Sequence, residues 1–364
     1  MKGPLRYLFT LLTLISIFIF FEELHFAKFH VLIANGYLTV EYRKIDVVRD
    51  VPNSPKIAIS VILETKEDES NYELALDTVR CYSSHFKYDL LIYHIRSDDE
   101  KEKCPQNDFM FRRHCMLAHK METLDHDWIL FIDADMGVIN PNVLIESYLP
   151  KDEKTQLVFY NRIMNHEVMA GSYLVRNGDY ARKFLHFWAD YFYKLPKSFH
   201  GTDNGAIHSV FVDFAMPEME TQRRYCEDRF WKNSTGYSTL SLYEVCIQKI
   251  LNRRKIDKIA ILPKGRQSWS RDGWLTDSVW STRDFFLHGW QKKRLDKRIF
   301  AEWHSPLVHS SHNRFNMSLC STNNAFKNWR YKNTFMSSIL TVDRILFNVI
   351  RQQESDYQTL LQKI

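Results

Sequence analysis

Two carboxylates two residues apart, Asp133 and Asp135, follow the apolar run Trp128-Ile129-Leu130-Phe131-Ile132. In extended chain the side chains of residues i and i+2 point the same way, so both acids leave the end of a strand on one side. A continuous apolar run is what a parallel strand covered on both faces requires, and the carboxyl edge of such a sheet is where ligands bind. Paired oxygen donors there suit Mg²⁺ or Mn²⁺, cations that commonly bind together with substrate phosphates. A metal so held would neutralise the charge that grows on a departing diphosphate. The sequence carries its own control in Asp125-His126-Asp127, which has the same spacing but precedes the strand instead of following it.

The elements needed to position that pair are legible on either side. An apolar, β-branched run at 56–63 predicts a strand, 72–83 has helical period, 88–95 reads as a second strand and 108–122 as a second helix, before the acid-bearing strand itself. Strand, helix, strand, helix, strand predicts an α/β doubly wound sheet. Residues 136–141, Met-Gly-Val-Ile-Asn-Pro, read as a turn leading to the next helix. Beyond it, 156–160 and 171–175 read as strands flanking a polar excursion, 180–195 as an aromatic-rich helix, 239–252 as a helix and 258–262 as a late strand. The pair Pro52 and Pro55 marks the start of the compact domain. The expected organisation is a cytosolic tip and anchor helix at 1–21, a stem at 22–55, the α/β domain at 56–335 and an amphipathic terminal helix at 336–364.

Of 364 residues, 26% are charged and 14% aromatic, a globular composition with room for a large core. A net charge of +5 favours an anionic ligand, but the basic residues are too scattered for a nucleic-acid surface. The run Lys292-Lys293-Arg294, with Lys297 and Arg298, reads as a solvated face. Residues 5–21 form an apolar stretch just long enough to span a bilayer, with Lys2 and Arg6 on one flank and Glu22 and Glu23 on the other. No small-x-small cleavage site follows it, so it is expected to stay attached as a signal-anchor in a type II protein with the bulk lumenal. Sequons at Asn233 and Asn316 agree with that topology. Six cysteines without a CxxC pair exclude zinc-ribbon and thioredoxin chemistry. An oxidising lumen would allow one to three disulfides among them, of unassigned connectivity.

The segment from Asp127 to Asp135, preceded by a helix carrying Arg112 and Arg113, resembles the D-x-D core of GT-A glycosyltransferases. It is similar to the family 34-like galactosyl- and xylosyltransferases and to a nematode-expanded group of nucleotide-diphospho-sugar transferase-like proteins, over about residues 56–312. The resemblance implies a GT-A-like doubly wound mixed sheet and metal-dependent transfer of a hexose or pentose, with retention, from a nucleotide-diphosphate sugar such as a UDP-sugar. The acceptor would be a glycan or glycoprotein in the ER or Golgi. It also implies roles. Asp133 would meet the ribose or the metal, Asp135 the metal directly, and His288 would complete the Mn²⁺ (or Mg²⁺) site in competition with His309 and His312. Arg112 and Arg113 would pair with the diphosphate, and Gly171 would let the backbone approach the donor sugar. Asp203 and Asn204 would lie beneath the anomeric carbon, Asn204 standing where the family usually has Gln. A capping role is the plain alternative for Asp203. Two other classes compete. A haloacid-dehalogenase-like phosphatase would carry its motif after the first strand, and a GT-A-fold carbohydrate-binding protein would have lost turnover.

Overall fold

The computed structural model describes residues 30–34, 37–41, 54–96, 98–265, 267–295, 299, 301–309 and 314–364. The anchor at 1–21, most of the stem, His312, Lys297 and Arg298 lie outside them. Among the described residues no helix is long and apolar enough to cross a membrane.

A hairpin of β1 (His30–Ala34) and β2 (Tyr37–Glu41) comes first, within the stretch expected to be a plain stem. The α/β unit follows with β3 (Ile57–Leu63), α1 (Glu73–Phe86), β4 (Asp89–His94), α2 (Phe109–Met121) and β5 (Trp128–Ile132). Next come β6 (Met136–Val138), β7 (Leu157–Tyr160), β8 (Ser172–Arg176) and α3 (Asp179–Asp190). The helices α4 (Thr202–Ala215), α5 (Glu220–Arg229) and α6 (Tyr237–Leu251) precede β9 (Ile259–Leu262), β10 (Ser270–Asp272), β11 (Phe286–His288), β12 (Arg330–Tyr331) and α7 (Ile339–Leu361).

Six strands form the main sheet in the order β4-β3-β5-β8-β7-β9. The pairs β3–β4, β3–β5 and β7–β9 are parallel, whereas β8 runs antiparallel to both β5 and β7, so the sheet is mixed. Strand alternation sorts the side chains into two cores. Ala58, Ile62, Ile129 and Phe131 face a layer built with α2, α3, α4 and α6. Ile57, Ile59, Val61, Trp128, Leu130 and Ile132 face the other way, against α1 and a tryptophan-rich layer containing Trp269, Trp280, Trp290 and Trp329. Fully burying each large apolar side chain contributes about 1.5–3 kcal/mol, and the sum offsets the several charged groups that the fold also buries.

Residues 136–138 are not the expected turn. They form β6, the edge of a second sheet ordered β10-β11-β6, in which β11 pairs antiparallel with β6 and parallel with β10. The register sets His288 against Met136 on one side and Asp272 on the other. A third sheet, β1-β2-β12, joins the early hairpin to the C-terminal part of the chain. All six cysteines are paired: Cys81–Cys320 fastens α1 to the C-terminal segment, Cys104–Cys115 anchors α2, and Cys226–Cys246 joins α5 to α6. Asn233 and Asn316, the two sequon residues, are exposed.

Candidate functional site

Asp133 and Asp135 occupy the turn beyond β5, and backbone hydrogen bonds fix that turn from both sides. The Asp133 N–H donates to the Gly171 carbonyl at 2.7 Å, while the Asp135 carbonyl accepts from the N–H groups of Gly289 and Trp290, both at 3.0 Å. The pairing of β6 with β11 thus delivers His288 to the acids. Its Nε2 lies 3.2 Å from Asp135 Oδ1, and its Nδ1 lies 2.7 Å from Asp272 Oδ1. Gln291 donates to the second oxygen of Asp135 at 2.9 Å. One ligand atom each from Asp133, Asp135 and His288 fall within 4.8 Å of one another. Two carboxylates and an imidazole are a donor set that Mn²⁺ accepts, and Mg²⁺ favours the oxygens. Of the other late histidines, His309 is half-buried among Glu73, Asp77 and Arg314, away from this cluster.

The electrostatics of the cluster are those of a site short of positive charge. Burial pulls the His288 pKa down, but Asp135 and Asp272 outweigh it and raise it to about 10, so the imidazolium itself balances the acids. Burial pushes the Asp135 carboxyl up, and His288 with Gln291 more than reverses that, holding it below its ordinary value. Asp133 ends up raised, because burial and the neighbouring Asp135 oppose the pull of Arg113.

Arg113, from α2, is committed to protein carboxylates. Its guanidinium pairs with Asp133 through Nη1 and donates to Asp203 Oδ2 at 2.7 Å through Nη2. Asp203 is wholly buried and absent from the cavity wall. Its Oδ2 lies 3.1 Å from His114 Nε2, and its Oδ1 accepts the Thr202 hydroxyl at 3.1 Å. Burial alone would raise the Asp203 pKa, but Arg113 and His114 bring it down to about 2. Burial drives His114 down to about 4, so the ring is neutral. With a carboxylate at Nε2, that nitrogen carries the proton and Nδ1 accepts from the Tyr173 hydroxyl at 3.0 Å. Asp203 is therefore neither the cap of α4, a place held by Gly201, nor a group facing the cavity. It is the counter-ion that holds Arg113 against Asp133.

Arg112 departs from its expected role. It is buried, and its Nε donates to the Gln106 carbonyl at 2.7 Å, off the cavity. Arg294 departs the other way: it is buried, stacked over Trp274 at 4.4 Å, and lines the cavity instead of belonging to a solvated face. Gly171 stands against the first acid, where a Cβ would come within 2.0 Å of Asp133 Oδ2. Asn204 does line the cavity, with its carbonyl oxygen accepting the Ala170 N–H at 3.1 Å. The control pair is elsewhere: Asp125 is 93% exposed and ion-paired to Lys56, and Asp127 accepts the Lys56 N–H.

These groups surround a cavity of about 700 Å³, a size suited to a small-molecule ligand. Its wall combines Asp133, Asp135 and His288 with Tyr72 from the α1 side and residues of α4 and α6. A second cavity of about 690 Å³, between α7 and the approach to β10, is mostly apolar, and its acids Asp284 and Asp343 are paired with Arg271 and Arg283. Sequence reasoning missed Asp272, Gln291, His114 and Arg162 at the first site. The spacing of Arg271-Asp272 carries no signal, because the β-pairing that brings Asp272 to His288 is long-range.

No curated protein matches the chain. Solved structures similar to it include a glycosyltransferase involved in glycosylation of the major capsid of PBCV-1, at 18% identity over 45% of this chain and 78% of that one, with a TM-score of 0.34. Another is the glycosyltransferase GlyE of Streptococcus pneumoniae TIGR4, at 12% identity over 55% of this chain and 64% of that one, with a TM-score of 0.31. Its apo form gives 10% identity over 80% and 83%, with a TM-score of 0.32. At TM-scores this low the likenesses carry no argument, and the chemistry rests on the site. The sequence itself matches a family model over residues 79–303, more than half of the chain, and the chain belongs to that family, described as "Protein of unknown function, DUF273".

Proposed function

We propose that the protein is a metal-dependent glycosyltransferase that takes a hexose or pentose from a nucleotide-diphosphate sugar, a UDP-sugar in the first instance, and passes it to a glycan or glycoprotein. The observation that carries this reading is the convergence of Asp133, Asp135 and His288 within 4.8 Å at the wall of a cavity large enough for a nucleotide sugar. Mn²⁺ or Mg²⁺ bound by these three would supply Lewis-acid stabilisation of the diphosphate leaving group. Arg113 and Asp203 keep the Asp133 carboxylate aimed, and Gln291 does the same for Asp135. Arg294 brings a third guanidinium to the cavity wall, beside those of Arg113 and Arg162, where it would face a phosphate.

Retention of anomeric configuration remains part of the proposal, by a route without Asp203 as covalent nucleophile, because that carboxylate is buried and paired. Asn204 lines the cavity at the start of α4 and would support positive charge on the anomeric carbon through its amide dipole. The proposed setting is the ER or Golgi lumen, with 1–21 as the membrane anchor; three disulfides support an oxidising compartment. Nucleotide release from a panel of UDP- and GDP-sugars, with and without Mn²⁺, tests the reading. Metal-dependent release with at least one donor is expected. Sugar binding without release from any donor would favour a carbohydrate-binding protein instead.

A further inference from the structure

We propose that the face of α6 carrying Tyr237, Ser241 and Glu244 is a pyranose-binding subsite, in which Glu244 hydrogen-bonds ring hydroxyls and Tyr237 with Phe199 covers the apolar face of the ring. This rests on the nucleotide-sugar reading of the same cavity. Positions i, i+4 and i+7 share one side of a helix, and all three residues line the cavity wall, as does Phe199. Tyr237 is 67% exposed, so its ring is open to a ligand in the cavity, and it meets Phe199 edge to face at 4.9 Å. Amphipathic aromatic rings of this kind offer a sugar an apolar surface with a polar edge.

Glu244 is the stronger observation. The residue is only 2% exposed, and its buried side-chain Oε1 has no hydrogen-bond partner among the described residues. The cations around it are committed. Lys264 donates to the carbonyls of Arg162 and Asn165, and Arg162 pairs with Glu167 and Asp272. Burial, reinforced by Glu167, raises the Glu244 pKa well above its ordinary value against the opposing pull of Lys264 and Arg162. A carboxyl presents two oxygens side by side, the complement of two adjacent hydroxyls. A buried group of this kind left unpaired destabilises the free protein. Lys264 and Arg162 already supply positive charge near the carboxyl, so the matching partner for its unpaired oxygen is a neutral polyol and not an ammonium ligand. That polyol is either the donor's sugar or the acceptor's.

The test measures binding of methyl glucoside, galactoside, mannoside, xyloside and N-acetylglucosaminide by saturation-transfer NMR, alongside titration of UDP and of UDP-sugars with Mn²⁺. Wild-type protein is expected to bind at least one pyranose. E244L and Y237A should each weaken it by about tenfold, as loss of one hydrogen-bonding or stacking group implies, with E244Q falling between. Affinity for Mn²⁺ and UDP should stay within about threefold of wild type, since the ligands of that site are untouched. E244L should melt at a higher temperature than wild type, which a purely structural carboxylate would not allow. Weakened binding of the free glycoside assigns the subsite to the acceptor. Loss only of the advantage that a UDP-sugar has over UDP assigns it to the donor. Failure of Mn²⁺ and UDP to bind while the glycoside still does would defeat the glycosyltransferase reading and leave the subsite standing. Wild-type-like pyranose binding in E244L and Y237A, or no pyranose binding in wild type in either form, would overturn the proposal.

Discussion

His288 Nε2 and Asp135 Oδ1 lie 3.2 Å apart because β11 pairs with β6, the strand that begins one residue after the second acid. The three residues of β6 therefore position the site: they bring an imidazole to a pair of strand-end carboxylates.

Gly171→Ala tests how tightly the first acid is held. The added Cβ would sit 2.0 Å from Asp133 Oδ2, and the Asp133 N–H to Gly171 carbonyl bond at 2.7 Å keeps the two segments from separating. The Asp133 carboxylate must rotate out of the cluster, so Mn²⁺ affinity is expected to fall by about tenfold or more, with about 1–3 kcal/mol of stability lost to overpacking. Calorimetric titration with Mn²⁺ measures it, and wild-type affinity in a folded variant would remove Asp133 from the ligand set.

Asp203→Ala is expected to be a stability variant before it is an activity variant. It leaves Arg113 buried with one of its two carboxylates gone, a loss of about 3–5 kcal/mol by the usual cost of breaking a buried pair. A helix cap would cost only about 1 kcal/mol. Urea unfolding separates the two, and a midpoint close to wild type would contradict the counter-ion role.

Stability should fall on the acid side of neutrality. Burial depresses His114 to about 4 and His208 to about 3. Above the ordinary histidine pKa of about 6.5 both rings are neutral folded or unfolded, and neither contributes a slope. Below it the unfolded chain takes up protons that the folded one refuses, so each ring removes up to about 1.4 kcal/mol per pH unit until its folded pKa is reached. Asp203, depressed to about 2, adds a loss of the same sign as pH falls from about 3.9 toward that value. Urea midpoints at pH 7 and pH 5 should therefore differ, and His208→Gln should narrow the difference; an unchanged gap would count against the buried-neutral account.

The sequence made the main sheet legible because its strands are apolar runs long enough to be recognised: 56–63, 128–132 and 156–160 all contain strands of the six-stranded sheet. The choice of Asp133-Ala134-Asp135 over Asp125-His126-Asp127 rested on the same logic, and the two pairs do lie in different surroundings, one in the cavity wall and the other exposed on Lys56. What stayed hidden was long-range. Strands of three residues, such as β6, β10 and β11, carry no periodicity, so neither the second sheet nor the Asp272 contact with His288 was readable. The hairpin β1–β2 was read as stem because its partner, β12, lies near the other end of the chain. Arg112 and Arg113 are adjacent and equivalent by type; only the direction of each side chain from α2 separates a residue tied to the Gln106 carbonyl from one that reaches Asp133. Ser241 and Glu244 fall within the helix expected at 239–252 and Tyr237 just before it, and burial of Glu244 is a property of the packing around it.

The central claim is that Asp133, Asp135 and His288 hold a divalent cation that in turn holds a nucleoside diphosphate. Calorimetric titration of UDP into wild-type, Asp135→Asn and Asp125→Asn proteins, with and without Mn²⁺, tests it most directly, with circular dichroism to verify folding. Wild type and Asp125→Asn are expected to bind UDP only when Mn²⁺ is present, whereas Asp135→Asn, similar in shape but short of a charged oxygen ligand, should lose binding while staying folded. Equal loss at both positions, or Mn²⁺-dependent binding that survives Asp135→Asn unchanged, would contradict the account.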